Sequence, residues 1–189
     1  MQITVLENPL NSRERSHLTK VDTIVLHHSA GGSLSGAIST LRIKGYSYHY
    51  LIDKDGKVYK AVATGRVAFH AGVSTGPQGK NVNAYSIGIC FIHEGRPGQD
   101  LTMHQRAAAI ALLIELRRGM PALHWFTSHR LITMNPDRSG RSRKIDSRPF
   151  DYEFFITQTT AVKKDENGKN VADPLVLWEP WEGAAEMPY

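Results

Sequence analysis

The chain has 189 residues, of which 41% are hydrophobic and 22% charged, enough to bury one substantial core and too apolar to stay disordered. Its single cysteine, Cys90, excludes an intramolecular disulfide framework, and no stretch approaches the roughly 18 apolar residues of a membrane span. The opening MQITVLENPLNSRERSH has no basic leader followed by an apolar segment, so the expectation is a soluble protein made in the cytoplasm without a signal peptide. The formal charge of +5 is unevenly placed: residues 161–189 hold three lysines against six acids, which leaves a basic body suited to an anionic partner.

Three parts follow from the pattern. Residues 1–20, with Pro9 and scattered charges, read as an irregular lead-in over a domain at 21–160, and 161–189 change character into a C-terminal arm. Val21 to Leu26 is a β-branched apolar run, read as a buried strand that ends in His27-His28 before Gly31-Gly32. Ser33 or Ser35 caps a helix with Ala37, Ile38, Leu41 and Ile43 on one side, stopped by Gly45. YSYHYLIDKDGKVYKAV reads as a hairpin turning at Asp55-Gly56, its first strand placing Tyr46, Tyr48 and Tyr50 on one face and His49 on the other.

A polar, glycine-containing loop around His70 then leads to IGICFI, apolar enough throughout to be a central strand. Thr102 caps a helix with Ala109, Leu112, Leu113 and Leu116 inward, and Arg117 and Arg118 sit favourably at its C-terminal end. LHWFTSH is a further strand delivering His129, and PFDYEFFITQ a short closing helix. The order predicts a single α/β domain, a central mixed β-sheet flanked by α-helices. In the arm, KKDENGKN is turn-rich and the segment with Trp178 and Trp181 reads as an arm packed on the body, with a docking peptide as the alternative.

Between Thr127 and Asp151 the chain lacks apolar periodicity yet is framed by groups that bind metals. His129 lies at a strand end. In an extended segment stopped by Pro149, Lys144 and Asp146 project to one side. With His27 they form a two-histidine, one-carboxylate set, the number of protein ligands a catalytic zinc site uses while keeping one position open. A lone histidine at a strand end is more often a hydrogen-bonded structural residue, nine are present, and no HExxH helix fixes a pair.

These segments resemble the zinc N-acetylmuramoyl-L-alanine amidases, a family of phage endolysins, cytosolic anhydro-muropeptide amidases and peptidoglycan recognition proteins. IVLHHSAGG is similar to the family's first-ligand strand, YHYLIDKDGKVY to its hairpin, FHAG and NAYSIGI to its central motifs, and SHR…KIDSRPFD to its closing ligand segment, in order across residues 21–151. The resemblance implies one Zn2+ ion held by His27, His129 and Asp146, with Tyr48 and Lys144 as polar catalytic groups. His70, Asn83 and Arg130 are expected to bind substrate. The implied reaction is zinc-activated hydrolysis of the amide joining N-acetylmuramic acid to L-alanine, Lys144 stabilising the oxyanion and Tyr48 orienting water or assisting proton transfer. His28 projects oppositely and reads as structural.

Two departures bear on subfamily. Cys90 stands where the cytosolic relatives carry a glutamate, and Asp146 where phage and animal relatives commonly use cysteine; Glu94, just beyond the strand, is a candidate substitute base. The expected role is that of a phage-type endolysin acting on the wall after release, with a recycling amidase, a secreted toxin or a non-catalytic wall-binding module as alternatives. The expected partner is peptidoglycan or a muropeptide, bound by a monomer. The arginines from Arg130 to Arg148 lack interleaved aromatics, so nucleic acid is not expected as a partner.

Overall fold

The structure, a computed structural model, describes residues 1–96, 98–134, 142, 152–180 and 182. Its strands are β1 (Ile3–Val5), β2 (Ser12–Glu14), β3 (Thr23–His28), β4 (Tyr50–Ile52), β5 (Val58–Lys60), β6 (Arg66–Ala68), β7 (Thr75–Gly76), β8 (Gly79–Lys80), β9 (Ser86–Phe91), β10 (Trp125–Ser128), β11 (Ala161–Lys164), β12 (Asn170–Asp173) and β13 (Val176–Leu177). The helices are α1 (Leu34–Lys44), α2 (Met103–Gly119), the single turn α3 (His129–Ile132) and α4 (Tyr152–Gln158). Among the described residues the main sheet has seven strands in the order β1-β5-β4-β9-β3-β10-β13. Only β4 and β5 pair antiparallel in it, so the sheet is mixed as expected.

The apolar run of β9 makes it the central strand because both its faces are covered. On one face Ile87, Ile89 and Phe91 join Ile24, Leu26 and Phe126 against Ala109, Leu112, Leu113 and Leu116 of α2 and Phe155 of α4. On the other, Leu51, Cys90 and Ile92 pack with Leu41 of α1, and Val25 packs with Ala71, Val82, Tyr85 and Ile132. Cys90 is thus a buried small apolar side chain.

Local signals set the helix ends. Ser33 Oγ accepts from the Gly36 amide, and Gly45 closes α1 in the left-handed region at φ 67°. Thr102 and Gln105 form a reciprocal capping box at the start of α2. Gln105 Nε2 also donates to the carbonyls of Ile52 and Ile92, tying the helix to the ends of β4 and β9.

Three expectations are corrected. The lead-in is not irregular: β1 extends the main sheet beside β5, and β2 pairs with β6, because the β5 edge offers an unpaired row of backbone groups that Ile3–Val5 complete. Ile43 is 83% exposed, since it falls at the end of α1 away from Leu41, where the helix no longer covers the sheet. Tyr46, Tyr48 and Tyr50 do not share a face: Tyr46 is exposed, Tyr48 lies with the α1-side cluster and Tyr50 with the α2-side cluster. The chain bends at His49, whose carbonyl accepts from both the Ala61 and Val62 amides, and this two-to-one pairing breaks the alternation. Arg117 lies in the last turn of α2, as expected, and is buried. Its guanidinium donates to the Thr159 carbonyl at 2.8 Å and to Asp173 Oδ2 at 2.9 Å, clamping the arm to the helix.

The arm itself packs on the body. β11 and β12 form a hairpin whose turn contains Gly168 at φ 77°, and β13 adds to the sheet beside β10. Trp178 packs against the cluster containing Val25.

Candidate active site: a histidine pair on adjacent strands

The site grows from strand register. β3 and β10 are parallel neighbours with Leu26 opposite Ser128, so the next residues, His27 and His129, emerge side by side. Alternation puts His27 on the Val25 face, the one that α2 and α4 do not cover. The two imidazole centroids are 4.7 Å apart. Tyr48 stands on the other side of His27 at 4.8 Å, and His70 meets the His27 ring edge-on at 5.0 Å. His27 is wholly buried and His129 is 6% exposed. His28, one residue on, turns to the opposite face, where its Nδ1 accepts from the Ala30 amide.

The hydrogen bonds fix which nitrogens carry protons. Ser86 Oγ has one proton and lies 2.6 Å from the Val82 carbonyl, which can only accept; the hydroxyl therefore accepts from His70 Nε2, 3.2 Å away. Burial, with His27 as the next cause, holds the His70 pKa well below the usual histidine range, so the ring is neutral and its Nδ1 is an acceptor. His27 Nε2, at 3.0 Å, is the donor to it. His129 Nε2 donates to the Ala71 carbonyl at 3.2 Å. Both strand-end histidines thus donate through Nε2, which leaves Nδ1 as the nitrogen through which each would bind a metal.

Segment 69–71 is held as tightly as it holds. The Phe69 amide donates to Ser47 Oγ at 2.8 Å while the Ser47 amide donates to the Phe69 carbonyl at 3.1 Å. Asn83 Oδ1 accepts from the amides of both His70 and Ala71, at 3.0 and 2.8 Å. Beneath His70 runs β9 with the small residues Ser86, Gly88 and Cys90 on this face. A Cβ on Gly88 would stand 2.6 Å from His70 Cγ, so only glycine admits the ring there.

A second buried layer lies under this one. His49 Nδ1 accepts from the Gly88 amide at 3.0 Å and its Nε2 donates to the Arg66 carbonyl at 3.1 Å, a neutral ring whose pKa burial pushes down to about 3. Arg15, from the lead-in, donates to the carbonyls of Ala84, Arg66 and Ser86, and burial lowers its pKa to about 10.

Of the residues expected at the site, the structure brings together His27, His129, Tyr48 and His70. Asn83 stands behind them, holding segment 70–71. Arg130 is 2% exposed, and its carbonyl accepts from Ser142 Oγ at 2.9 Å. Lys144 and Asp146 lie outside the described residues. Glu94 is not with the cluster. It accepts from Lys54 Nζ at 2.6 Å and from Gln99 Nε2 at 2.8 Å, and the lysine bond first among the causes draws its pKa down to about 2. A carboxylate so depressed is a poor base near neutral pH. The supporting residues Ser47, Ser86, Gly88, His49 and Arg15 went unseen in the sequence; the one available signal was glycine inside an otherwise apolar strand.

The donor set suits zinc. Two imidazoles, oriented by hydrogen bonds through their other nitrogens, are the usual nitrogen half of a catalytic zinc site. Among the described residues no three His, Cys, Asp or Glu side chains are grouped to hold a metal ion.

Comparison with known proteins gives a family and a fold. The sequence profile of the N-acetylmuramoyl-L-alanine amidases matches residues 17–149. No curated protein is a significant sequence match. Among solved structures, the N-acetylmuramoyl-L-alanine amidase LysC from Clostridium intestinale is 21% identical with a TM-score of 0.62, covering 84% of this chain and 97% of its own. AmpD, solved as a selenomethionine derivative, is 23% identical with a TM-score of 0.65, over 84% of this chain and 94% of its own. The amidase AmiD from E. coli, in complex with anhydro-N-acetylmuramic acid-L-Ala-D-gamma-Glu-L-Lys, is 22% identical with a TM-score of 0.62, over 82% and 64%. At these identities the structures establish a shared fold, and the sequence match over most of the chain establishes kinship: the chain belongs to the N-acetylmuramoyl-L-alanine amidase family and is a peptidoglycan amidase.

Proposed function

We propose that the protein cleaves the amide between N-acetylmuramic acid and L-alanine in polymeric peptidoglycan, as a lytic enzyme of the phage endolysin type, with one zinc ion held by His27, His129 and Asp146. The observation that carries this reading is the His27–His129 pair, 4.7 Å apart on adjacent strands, each donating through Nε2, with Tyr48 alongside. Zinc at such a site would acidify water and polarise the lactyl carbonyl. Hydrolysis puts a hydroxyl on that carbonyl carbon and a proton on the departing L-alanine nitrogen. Tyr48, half-buried against His27, would orient the water and move the proton. Lys144 supplies the fixed cation for the oxyanion. Arg130, the neighbour of His129, contributes a buried positive charge that favours an anionic stem peptide.

Cys90 favours lysis over recycling. It lies in an apolar cluster with Leu51 and Ile92, where the cytosolic relatives place an acid, so the acidic base of a recycling enzyme is missing. The protein is expected to act as a monomer without nucleic acid; no helix among the described residues is long and apolar enough to cross a membrane.

Mass spectrometry after incubation with purified peptidoglycan and, separately, with anhydro-muropeptide tests the reading. Stem peptides beginning at L-alanine are expected from the polymer, lost on chelation and restored by zinc, and reduced about 100-fold or more in Tyr48→Phe. Preference for the small fragment would assign recycling. Wall binding without cleavage would make the chain a binding module.

A further inference from the structure

We infer that segment 69–71 is a clasp that orients both strand-end histidines for metal binding, so that His70 and Asn83 are positioning residues rather than substrate contacts. The inference rests on the proposed ligand role of His27 and His129. Three observations meet in it. Each histidine gives its Nε2 proton to this one segment, His27 to the His70 ring at 3.0 Å and His129 to the Ala71 carbonyl at 3.2 Å. The acceptors cannot drift, because Asn83 Oδ1 binds the amides of residues 70 and 71 together and Ser47 is doubly bonded to Phe69. The His70 ring is itself set by Ser86 Oγ on one side and by the absence of a side chain at Gly88 on the other.

Physically, the arrangement does two things. A histidine ligand is fixed in tautomer and ring angle by the bond its other nitrogen makes. Here both ligands answer to one rigid support, so their spacing is set with their orientation. Tyr48 is included through its neighbour Ser47, which places the proton-moving group and the ligands on one frame. A substrate-contact role would need donors or acceptors on His70 directed outward, whereas both its ring nitrogens are committed inward.

The test uses the full chain and zinc alone. In the metal-free protein, nitrogen NMR of the imidazoles is expected to show His27 and His129 as Nε2–H tautomers; an Nδ1–H tautomer at either overturns the clasp whatever zinc does. By competition with a chromogenic chelator, His70→Leu and Asn83→Leu are each expected to weaken zinc binding about 10- to 100-fold. His70→Asn restores an acceptor near the Nδ1 position and Asn83→Asp keeps an oxygen for both amides, so these two are expected to recover most of that loss. Folded leucine variants with wild-type affinity would refute the inference. If the wild-type protein binds no zinc, the metal reading fails on its own, and the tautomers still decide the clasp, as they do if a leucine variant does not fold.

Discussion

Adding one methyl group at Gly88 should both destabilise the protein and weaken the proposed zinc binding. In Gly88→Ala the new Cβ would stand 2.6 Å from His70 Cγ, 2.8 Å from Cδ2 and 2.9 Å from Nδ1, closer than carbon and nitrogen tolerate. The strand cannot retreat. The Gly88 amide donates to His49 Nδ1 and its carbonyl accepts from the His49 amide, while β9 is bonded to β3 and β4 on its two sides. The ring must move instead, breaking its bonds to Ser86 and His27. Two buried hydrogen bonds at about 1 kcal/mol each, plus about 1 kcal/mol or more for overpacking, give a loss of about 3 kcal/mol. For a chain of this length that is a fall in melting temperature of roughly 6 to 12 °C. Calorimetry with Gly65→Ala as control isolates the effect, since a Cβ at Gly65 meets nothing within 4 Å. A Gly88→Ala protein that melts with the wild type and binds zinc equally well would refute the packing argument.

Three further outcomes are expected. His49, held neutral by burial with a pKa near 3, cannot take up the proton that the unfolded chain accepts below about pH 6.5. Its contribution is therefore complete above pH 6.5 and is lost as pH falls toward 3, by up to about 1.4 kcal/mol per unit; urea melts of His49→Asn should show a slope shallower by that amount, and an equal slope would be a failure. Glu94→Gln should keep amidase turnover within about twofold, because its carboxylate is engaged by Lys54 and Gln99 and too acidic to serve as a base; a loss beyond tenfold would return it to the mechanism. Arg117→Met leaves Asp173 and the Thr159 carbonyl without their buried cation and should cost about 3 kcal/mol, with limited proteolysis cutting first between residues 159 and 173; uniform resistance there would mean the arm is held by other contacts.

What could be read in the sequence was whatever local periodicity and capping decide. Thr23–His28 and Ser86–Phe91 announce themselves as apolar runs, Ser33 and Thr102 as caps, and His27 and His129 as polar groups at strand ends. The hidden part is long-range. Arg15 resembles any charge in a polar lead-in until the carbonyls of residues 66, 84 and 86 are brought round it, and His70 resembles a loop histidine until Ser86 and Gly88 pass beneath it. Tyr48 separates from Tyr50 because a bend at His49 overrides the alternation that the tyrosines suggest. The placement of Lys144 and Asp146 rests on the sequence alone.

Arg15 also bears on how the enzyme can be cut and fused. The family similarity begins at residue 17, and a fragment started there would look complete by alignment. It would lack β1 and β2 and the guanidinium that gathers three carbonyls from two separate segments, leaving an open sheet edge at β5 and unmatched oxygens beneath Asn83 and Ser86. The evolutionary unit and the cooperative folding unit therefore have different first residues. A fusion partner joined ahead of Met1 respects both, whereas one spliced in at residue 17 would undermine the active site from the far end of the molecule.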